Sequence, residues 1–286
     1  MRHGAEEGRI HPLPERGMSG KIRLIAADVD GTLLNSRKEL TAPVEAAIER
    51  VRACGVRFTI VTGRDIRGLR KLSHLLDEGI PVVTSNGAEL RRAGSGELLQ
   101  STCLSETAAL EVIRRGLDLG LAVIVWSRGE LYLGQPGPAS AGYSDMYGIL
   151  EKPLQDYRAL AARGVTKVIW AGEAEEVRRL EGQYAREPIF DSACCTSDPR
   201  YLEFMDRRVN KGTGLAGAAA ALGIPREAVA AVGDGHNDLP MLRWAGYAVA
   251  MGNASAELKA AADLVTDSCD EDGLAHALDR LFPGTD

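Results

Sequence analysis

The chain has 286 residues, of which 45% are hydrophobic and 26% are charged, and its formal net charge is −6 at pH 7. This length accommodates one large domain or two modest ones, and the acidic balance argues against nucleic acid as the main partner. No apolar run approaches the ~20 residues that cross a bilayer, so we predict no membrane partner.

The N-terminal segment and the cysteines indicate the cellular compartment. Residues 1–20 lack an apolar core and so resemble no signal peptide, and we expect them to form a flexible extension. The five cysteines are scattered and include no Cys-x-x-Cys, which disfavours a disulfide framework or a zinc site. Both observations predict a cytoplasmic protein.

Two carboxylates follow the first predicted strand. The short apolar run Ile22–Ala27 suits the centre of a parallel sheet, and Asp28-Val29-Asp30-Gly31-Thr32 comes directly after it. Open α/β sheets bind ligands at the carboxyl ends of their strands, and side chains two apart in an extended segment share a face. Asp28 and Asp30 can therefore act on one group or one metal ion, although a surface turn is the simpler interpretation of this segment alone.

The next elements repeat the alternation of strand and helix. The sequence predicts a helix from the N-cap Thr41 to Gly55, a strand over Val56–Val61, a helix over Asp65–Asp77 and a strand over Pro81–Val83. The two strands run into Thr62-Gly63-Arg64 and Ser85-Asn86-Gly87. This βαβαβ order predicts an α/β fold with a doubly wound parallel sheet, in which three polar turns reach one crevice.

The pattern then changes. A probable hairpin, a helix over Ser105–Gly120 capped by Ser105, and several short strands predict an antiparallel-rich α+β unit. The Gly- and Pro-containing segment Gln135–Tyr147 is predicted to be a surface loop. We therefore predict an inserted cap domain at residues 87–204, within a discontinuous core of residues 21–86 and 205–286.

From Lys211 the α/β alternation returns. An Ala-rich helix, Gly212–Leu222, precedes a strand, Ala228–Val232, which runs into Gly233-Asp234-Gly235-His236-Asn237-Asp238. The segment Gly212–Gly217 also matches the dinucleotide-binding pattern, but polar residues separate it from the preceding strand. We interpret its glycines as packing positions.

These turns hold the groups that phosphoryl transfer to a carboxylate requires. Asp28 is ionised at neutral pH and needs no activating base, and Lys211 with Mg²⁺ would offset the charge of two approaching anions. Mg²⁺ prefers oxygen ligands, which Asp28, the Asp30 carbonyl and Asp234 could supply. Thr62 offers a hydroxyl to a phosphoryl oxygen.

Each group alone also has a structural interpretation. Thr62 and Gly63 could merely end a strand, Lys211 could be a solvated residue at a helix start, and Asp234 and Asp238 could cap a helix. Their joint placement at strand ends and a helix start favours the catalytic interpretation.

Together the segments resemble the four ordered motifs of the haloacid dehalogenase (HAD) superfamily of phosphatases. The matching segments are Asp28-Val29-Asp30-Gly31-Thr32, Thr62-Gly63-Arg64, Lys211-Gly212 and Gly233-Asp234-Gly235-His236-Asn237-Asp238. Asn86-Gly87-Ala88, Asn237–Leu242 and Val249–Ala254 are similar to the Cof-type branch (subfamily IIB), which carries a large α/β cap between its second and third motifs.

The resemblance implies a role for each matched residue. Asp28 would be the nucleophile and Asp30 the general acid/base. The implied phosphate-binding residues are Thr62, Gly63, Lys211 and Asn237. The implied metal ligands are Asp28, Asp30 and Asp234. Asp238 would orient Lys211 or the metal shell, and Asn86 would lie on the substrate side.

We therefore expect a cytoplasmic, Mg²⁺-dependent phosphatase that acts on a small phosphorylated metabolite through an aspartyl-phosphate intermediate. Family resemblance makes a sugar phosphate the leading substrate class. A phosphomutase or phosphotransferase would use the same intermediate, and a non-catalytic phosphometabolite-binding module would keep only the fold. The sequence indicates neither the individual substrate nor the oligomeric state.

Overall fold

The computed structural model describes residues 21–284, apart from the side chains of residues 146, 147 and 197. The predicted N-terminal extension, residues 1–20, therefore lies outside the described residues. Among the helices of residues 21–284, none combines the length and the apolar character that a membrane span requires.

The described chain alternates strands and helices in its first and last parts, whereas pairs of successive strands interrupt this order between them. Its first part contains β1 (Leu24–Ala27), α1 (Ala42–Ala53), β2 (Arg57–Ile60), a 3₁₀ segment (Ile66–Leu75), β3 (Pro81–Thr84), β4 (Glu89–Arg92) and β5 (Leu98–Ser101). Its middle part contains α2 (Glu106–Asp118), β6 (Ala122–Ser127), β7 (Glu130–Gly134), α3 (Tyr143–Tyr147), β8 (Lys152–Pro153), α4 (Tyr157–Arg163), β9 (Lys167–Ala171), α5 (Ala174–Arg186), β10 (Ser192–Asp198) and β11 (Tyr201–Asp206). Its last part contains α6 (Lys211–Ala221), β12 (Val229–Gly233), α7 (Leu239–Trp244), β13 (Tyr247–Ala250), α8 (Ala256–Ala260), β14 (Leu264–Val265) and α9 (Gly273–Leu281).

A parallel sheet forms the first layer, with its strands in the order β14-β13-β12-β1-β2. Ala27, the last residue of β1, pairs with Val232 on one side and with Ile60 on the other. The carboxyl ends of these three strands therefore lie at one edge of the sheet. Strand β3 adjoins β2 through a single parallel bridge, Val61 to Val83.

Helices cover both faces of this sheet. Ile25 and Ala27 of β1 belong to an apolar cluster that includes α1 and α9, whereas Leu24 and Ala26 belong to a cluster that includes α6 and α7. Successive side chains of a strand point to opposite faces, and both faces of β1 are fully buried. The predicted α/β fold with a doubly wound parallel sheet is confirmed.

A second, mostly antiparallel sheet has the strand order β10-β11-β9-β6-β7-β8. Helices α2, α4 and α5 pack on one face, where Trp170, Tyr184 and Phe204 make an aromatic cluster. Residues that alternate with these along β9 and β11 point to the opposite face. The predicted division at residues 87–204 stays a prediction.

A small antiparallel sheet, β3-β4-β5, lies beside α6, because Leu90 and Leu215 share one apolar cluster. The chain leaves this layer after β5 and returns before α6, and both crossings meet at Gly87-Ala88. Thr102 N–H donates to the Ala88 carbonyl at 2.8 Å. A Cβ atom on Gly87, whose φ is +101°, would lie 2.2 Å from the Asn210 carbonyl oxygen.

Some local predictions differ from the structure. Thr41 occupies the N-cap of α1, but its hydroxyl donates to Asp272 at 2.6 Å instead of capping the helix. The segment Ile66–Leu75 is 3₁₀ rather than α-helical, and its buried leucines recur every three residues, as 3₁₀ geometry requires. The predicted loop Gln135–Tyr147 contains α3, and α4 was not predicted.

Candidate active site

The four predicted motif segments converge at the carboxyl edge of the parallel sheet. Asp28 follows β1, Thr62 follows β2, Asp234 follows β12, and Lys211 is the first residue of α6. A tight turn at Gly31, with φ of +83°, brings the chain back beside β1. A Cβ atom there would lie 2.4 Å from Asp234 Oδ2, so the turn also needs glycine for space.

Lys211 lies buried among carboxylates. Its Nζ is 2.8 Å from Asp28 Oδ1 and donates to Asp238 Oδ1 at 2.5 Å, with only 1% of its side chain exposed. The helix start is held by Asn210, whose side chain accepts the Thr213 N–H. Burial disfavours the ammonium, but the charges of Asp238 and Asp28 outweigh it and raise the pKa of Lys211. The solvated-lysine interpretation is therefore excluded.

Asp238 ties this lysine to the loop after β12. Its Oδ1 accepts from Lys211, and its Oδ2 accepts the backbone N–H groups of Asp234 at 2.9 Å and Gly235 at 2.8 Å. Asp238 makes no side-chain cap bond to the following helix. This geometry supports the predicted role of orienting Lys211.

Asp28, Asp234 and Asp238 form one carboxylate cluster. Each offers an oxygen, and these oxygens lie within 4.8 Å of one another. Burial, followed by the Asp238 carboxylate, raises the pKa of Asp28 to about 7, and burial with the Asp28 carboxylate raises the pKa of Asp234 to about 6. Among the described residues, Lys211 alone forms ion pairs with this cluster, which leaves negative charge that a divalent cation would offset. Carboxylate oxygens are the ligands that Mg²⁺ prefers, so the cluster fits the predicted metal.

Two residues that donate hydrogen bonds to Asp234 were not predicted as site residues. Thr32 Oγ1 donates to Asp234 Oδ1 at 2.7 Å, and Asn253 Nδ2 donates to Asp234 Oδ2 at 3.1 Å. Asn253 also donates to the Gly31 carbonyl at 2.9 Å, which ties the first turn to the loop after β13. Thr32 lies within the predicted first motif, so its position in the sequence could have identified it as a site residue.

The Asp30 side chain lies outside the carboxylate cluster, although the sequence included Asp30 among the metal ligands. Arg64 Nε and Nη2 donate to its two oxygens at 2.8 and 2.6 Å, and Lys38 Nζ donates to Oδ1 at 2.8 Å. Burial alone would raise its pKa, but Arg64 and Lys38 outweigh burial and lower it. Metal coordination through the Asp30 carbonyl stays a prediction.

The remaining predicted residues form a hydrogen-bonded row beside the cluster. Thr62 Oγ1 accepts the Arg64 N–H at 3.1 Å, and Asn237 Nδ2 donates to Asn86 Oδ1 at 3.0 Å. Asn86 holds a left-handed backbone, with φ of +56°. A Cβ atom on Gly63 would lie 3.0 Å from Asn86 Oδ1, so Gly63 allows the two loops to touch.

Two charged residues of the second sheet reach this row. Lys167 Nζ donates to the Gly63 carbonyl at 3.2 Å, and Asn86 Nδ2 donates to Glu203 Oε2 at 3.0 Å. Neither Lys167 nor Glu203 was predicted from the sequence as a site residue. Charges in the otherwise apolar strands KVIWA and YLEFMD were the signal that could have identified both.

Comparison with known proteins shows the family of the chain. A family model described as a haloacid dehalogenase-like hydrolase matches residues 25–278. The phosphatase YwpJ of Bacillus subtilis (strain 168) is 28% identical over 297 aligned residues, which cover 91% of this chain and 100% of that protein. A haloacid dehalogenase-like hydrolase from Bacteroides thetaiotaomicron matches with a TM-score of 0.79 and 28% identity, over 92% of this chain and 100% of that chain.

A solved HAD subclass IIB sugar phosphatase matches with a TM-score of 0.77 and 25% identity, over 90% of this chain and 97% of that chain. The family match spans all four motif segments and the carboxylate cluster that they form. The chain therefore belongs to the haloacid dehalogenase-like hydrolases and, within them, to the phosphatases, as its motifs predict.

Proposed function

We propose that the protein hydrolyses a small-molecule phosphate monoester, with a sugar phosphate as the leading substrate class, through an aspartyl-phosphate on Asp28. The observation that carries this proposal is the buried contact of 2.8 Å between Asp28 and Lys211 inside a cluster of three carboxylates. The structural likeness to a sugar phosphatase supports the substrate class. All five cysteines are free, which is consistent with a cytoplasmic location.

In the first step an Asp28 oxygen attacks phosphorus, and the bond from phosphorus to the leaving oxygen breaks. Lys211, Thr62 and Asn237 bind the phosphoryl oxygens. Asp30 would give a proton to the leaving oxygen, which requires substrate binding to separate it from Arg64 and Lys38, because these two cations lower its pKa here. In the second step Asp30 takes a proton from water, which attacks phosphorus and releases Asp28 and inorganic phosphate. A cation bound beside Asp28 would favour its ionised form, which is the nucleophile, and Lys211 would offset the charge of the incoming phosphoryl group.

Asp28 and Asp234 would hold Mg²⁺, with the Asp30 carbonyl as a further ligand. When bound, the ion supplies positive charge that screens the Asp28 carboxylate from the incoming phosphate. The raised pKa values of Asp28 and Asp234 support this assignment. Burial, and after it a neighbouring carboxylate, disfavours the ionised form of each residue, and a bound cation would favour that form.

The test is release of inorganic phosphate from a panel of sugar, nucleotide and aryl phosphates. Asp28→Asn should abolish turnover, whereas Asp118→Asn, a change at an exposed residue on α2, should not. Turnover by a folded Asp28→Asn variant would contradict the proposal. Product analysis with an acceptor sugar present would separate hydrolysis from transfer to a second hydroxyl.

We further propose that the predicted insertion, residues 87–204, selects among substrates, because the core motifs hold only the phosphoryl group. Contacts such as Lys167 to Gly63 support its position over the site. A variant without residues 103–206 keeps β4 and β5 beside α6. It should hydrolyse small aryl phosphates slowly and show no preference among sugar phosphates. An unchanged ranking of kcat/KM across the panel, in a folded variant, would contradict this role.

A further inference from the structure

A buried ion pair links the second sheet to the active-site loops. Lys167 in β9 and Glu203 in β11 lie 3.2 Å apart, with 2% and 5% of their side chains exposed. Their neighbours Val168 and Leu202 belong to the cluster under α2 and α5, so the ion pair lies on the opposite face. Two buried charges cost several kcal/mol to desolvate, which makes this pair an expensive way to obtain stability alone.

The first partner of Lys167 is a peptide group beside Thr62. Lys167 Nζ donates to the Gly63 carbonyl at 3.2 Å, and the N–H of the same peptide, on Arg64, donates to Thr62 Oγ1 at 3.1 Å. Lys167 thus fixes the plane of the Gly63–Arg64 peptide group, whose N–H donates to Thr62 Oγ1. Because the Thr62 oxygen accepts that N–H, its own proton must point elsewhere, which leaves it to donate to a phosphoryl oxygen.

The partner of Glu203 leads to Asn237. A carboxylate only accepts, so Asn86 must turn its Nδ2 toward Glu203, at 3.0 Å, and its Oδ1 toward Asn237. Asn86 Oδ1 then accepts from Asn237 Nδ2 at 3.0 Å. The charge of Glu203 thereby decides the orientation of both amides, including the one assigned to the phosphate.

We propose that Lys167 and Glu203 are positioning residues that orient the Thr62 hydroxyl and the Asn237 amide toward the phosphoryl group. The inference rests on the proposed function, and it makes phosphate binding depend on contact between the second sheet and the loops of the first. Neither residue touches the reacting atoms, so both act through the peptide and the amides described above.

The experiment compares wild type, Lys167→Met and the double variant Lys167→Met/Glu203→Leu. Removing one member of a buried ion pair leaves an uncompensated charge, whereas replacing both with apolar residues removes that cost. Lys152→Met is the control, because Lys152 pairs with Glu130 at an exposed site of the same sheet. The readouts are the Tm, kcat and KM across the ester panel, and the Kd of inorganic phosphate by calorimetric titration.

We expect Lys167→Met to weaken phosphate binding about tenfold and to lower kcat/KM by about 10–100-fold on every ester, since small misplacements can cost about 10²-fold. The ranking of substrates should not change. In the double variant the Tm should return toward that of wild type, while kcat/KM and the Kd stay impaired. The Lys152→Met control should match wild type in all four quantities.

Recovery of activity together with Tm in the double variant would reduce the ion pair to a structural role and overturn the inference. An unchanged Kd of phosphate together with an altered ranking of the esters would also overturn the inference, because residues that contact the leaving group would give that result. If Lys167→Met does not fold, the double variant decides. A wild type without turnover refutes the proposed function instead, whereas equal Kd values in wild type and variants refute only the positioning role.

Discussion

Replacing Asp28 by asparagine should stabilise the metal-free protein while abolishing its turnover. Asp28 is buried, and its pKa is raised from 3.8 to about 7, first by burial and then by the Asp238 carboxylate, against the opposing effect of Lys211. At a pH between these two pKa values, Asp28 is ionised in the unfolded chain and protonated in the folded protein. The folded state therefore binds more protons, and the free energy of unfolding falls as pH rises.

The size of this effect follows from the shift. Each pKa unit corresponds to about 1.36 kcal/mol, so a shift from 3.8 to about 7 corresponds to about 4 kcal/mol at pH 8. Asparagine does not ionise, so the free energy of unfolding of the variant does not decrease in this way as the pH rises. The stability difference between Asp28→Asn and wild type should thus be small near pH 4, grow up to pH 7 and then level off. With roughly 2–4 °C per kcal/mol, the variant should gain on the order of 10 °C in Tm at pH 8.

The assay is scanning calorimetry of both proteins from pH 4 to pH 8 in EDTA, and again with excess Mg²⁺. Bound metal stabilises the state that binds it, so Mg²⁺ should raise the Tm of wild type more than that of the variant. A Tm difference that stays constant with pH would refute the argument. So would a variant that is less stable than wild type at pH 8 in EDTA.

Three further predictions concern the general acid, the metal ion and Gly87, where the two chain crossings meet. Asp30→Asn should lower hydrolysis of alkyl phosphates by about 10²–10⁴-fold but that of p-nitrophenyl phosphate much less, because its leaving group needs no proton; equal losses would remove Asp30 as the acid. EDTA should stop turnover and Mg²⁺ should restore it, whereas Ca²⁺, with its larger and looser shell, should not; full activity in excess EDTA would exclude a metal requirement. Gly87→Ala should lower the Tm more than Gly55→Ala. Both substitutions place an alanine in a left-handed conformation, at about 1–2 kcal/mol, but only Gly87→Ala places a Cβ atom 2.2 Å from the Asn210 carbonyl oxygen. Equal losses of Tm would show that the structure relaxes around this contact without cost.

The sequence predicted the convergence of the motif segments because parallel strands present their carboxyl ends at one edge. Asp28 and Asp234 are far apart in the chain, yet each follows an apolar strand directly, and the parallel register of β1 and β12 brings them together. The burial of Lys211 could not be predicted, because a lysine at a helix start is usually solvated. Only the tertiary position of Asp238 shows what it pairs with.

Contacts between distant loops left no comparable pattern. Lys167 and Glu203 each interrupt an apolar strand, but a strand pattern shows which face a charge points to and not which loop lies opposite. The 3₁₀ segment Ile66–Leu75 was predicted as a helix because leucines three apart also suit an α-helix. Helix α4, at seven residues, is too short to show a clear period.

The meeting of the two chain crossings at Gly87-Ala88 restricts how the two large sheets can move. The outgoing crossing is hydrogen-bonded to Ala88, and the returning one packs Val209 on Ala88 and Asn210 against Gly87. Once the contacts of Lys167 with Gly63 and of Glu203 with Asn86 are released, two attachments at one point would permit rotation about that point and oppose translation. Because Lys211 follows Asn210 directly, this point lies close to Lys211, the proposed phosphate-binding lysine, so rotation would widen the far side of the crevice most. The outer residues of the second sheet would then sweep across the leaving group, while the spacing of Lys211 and Asp28 hardly changes.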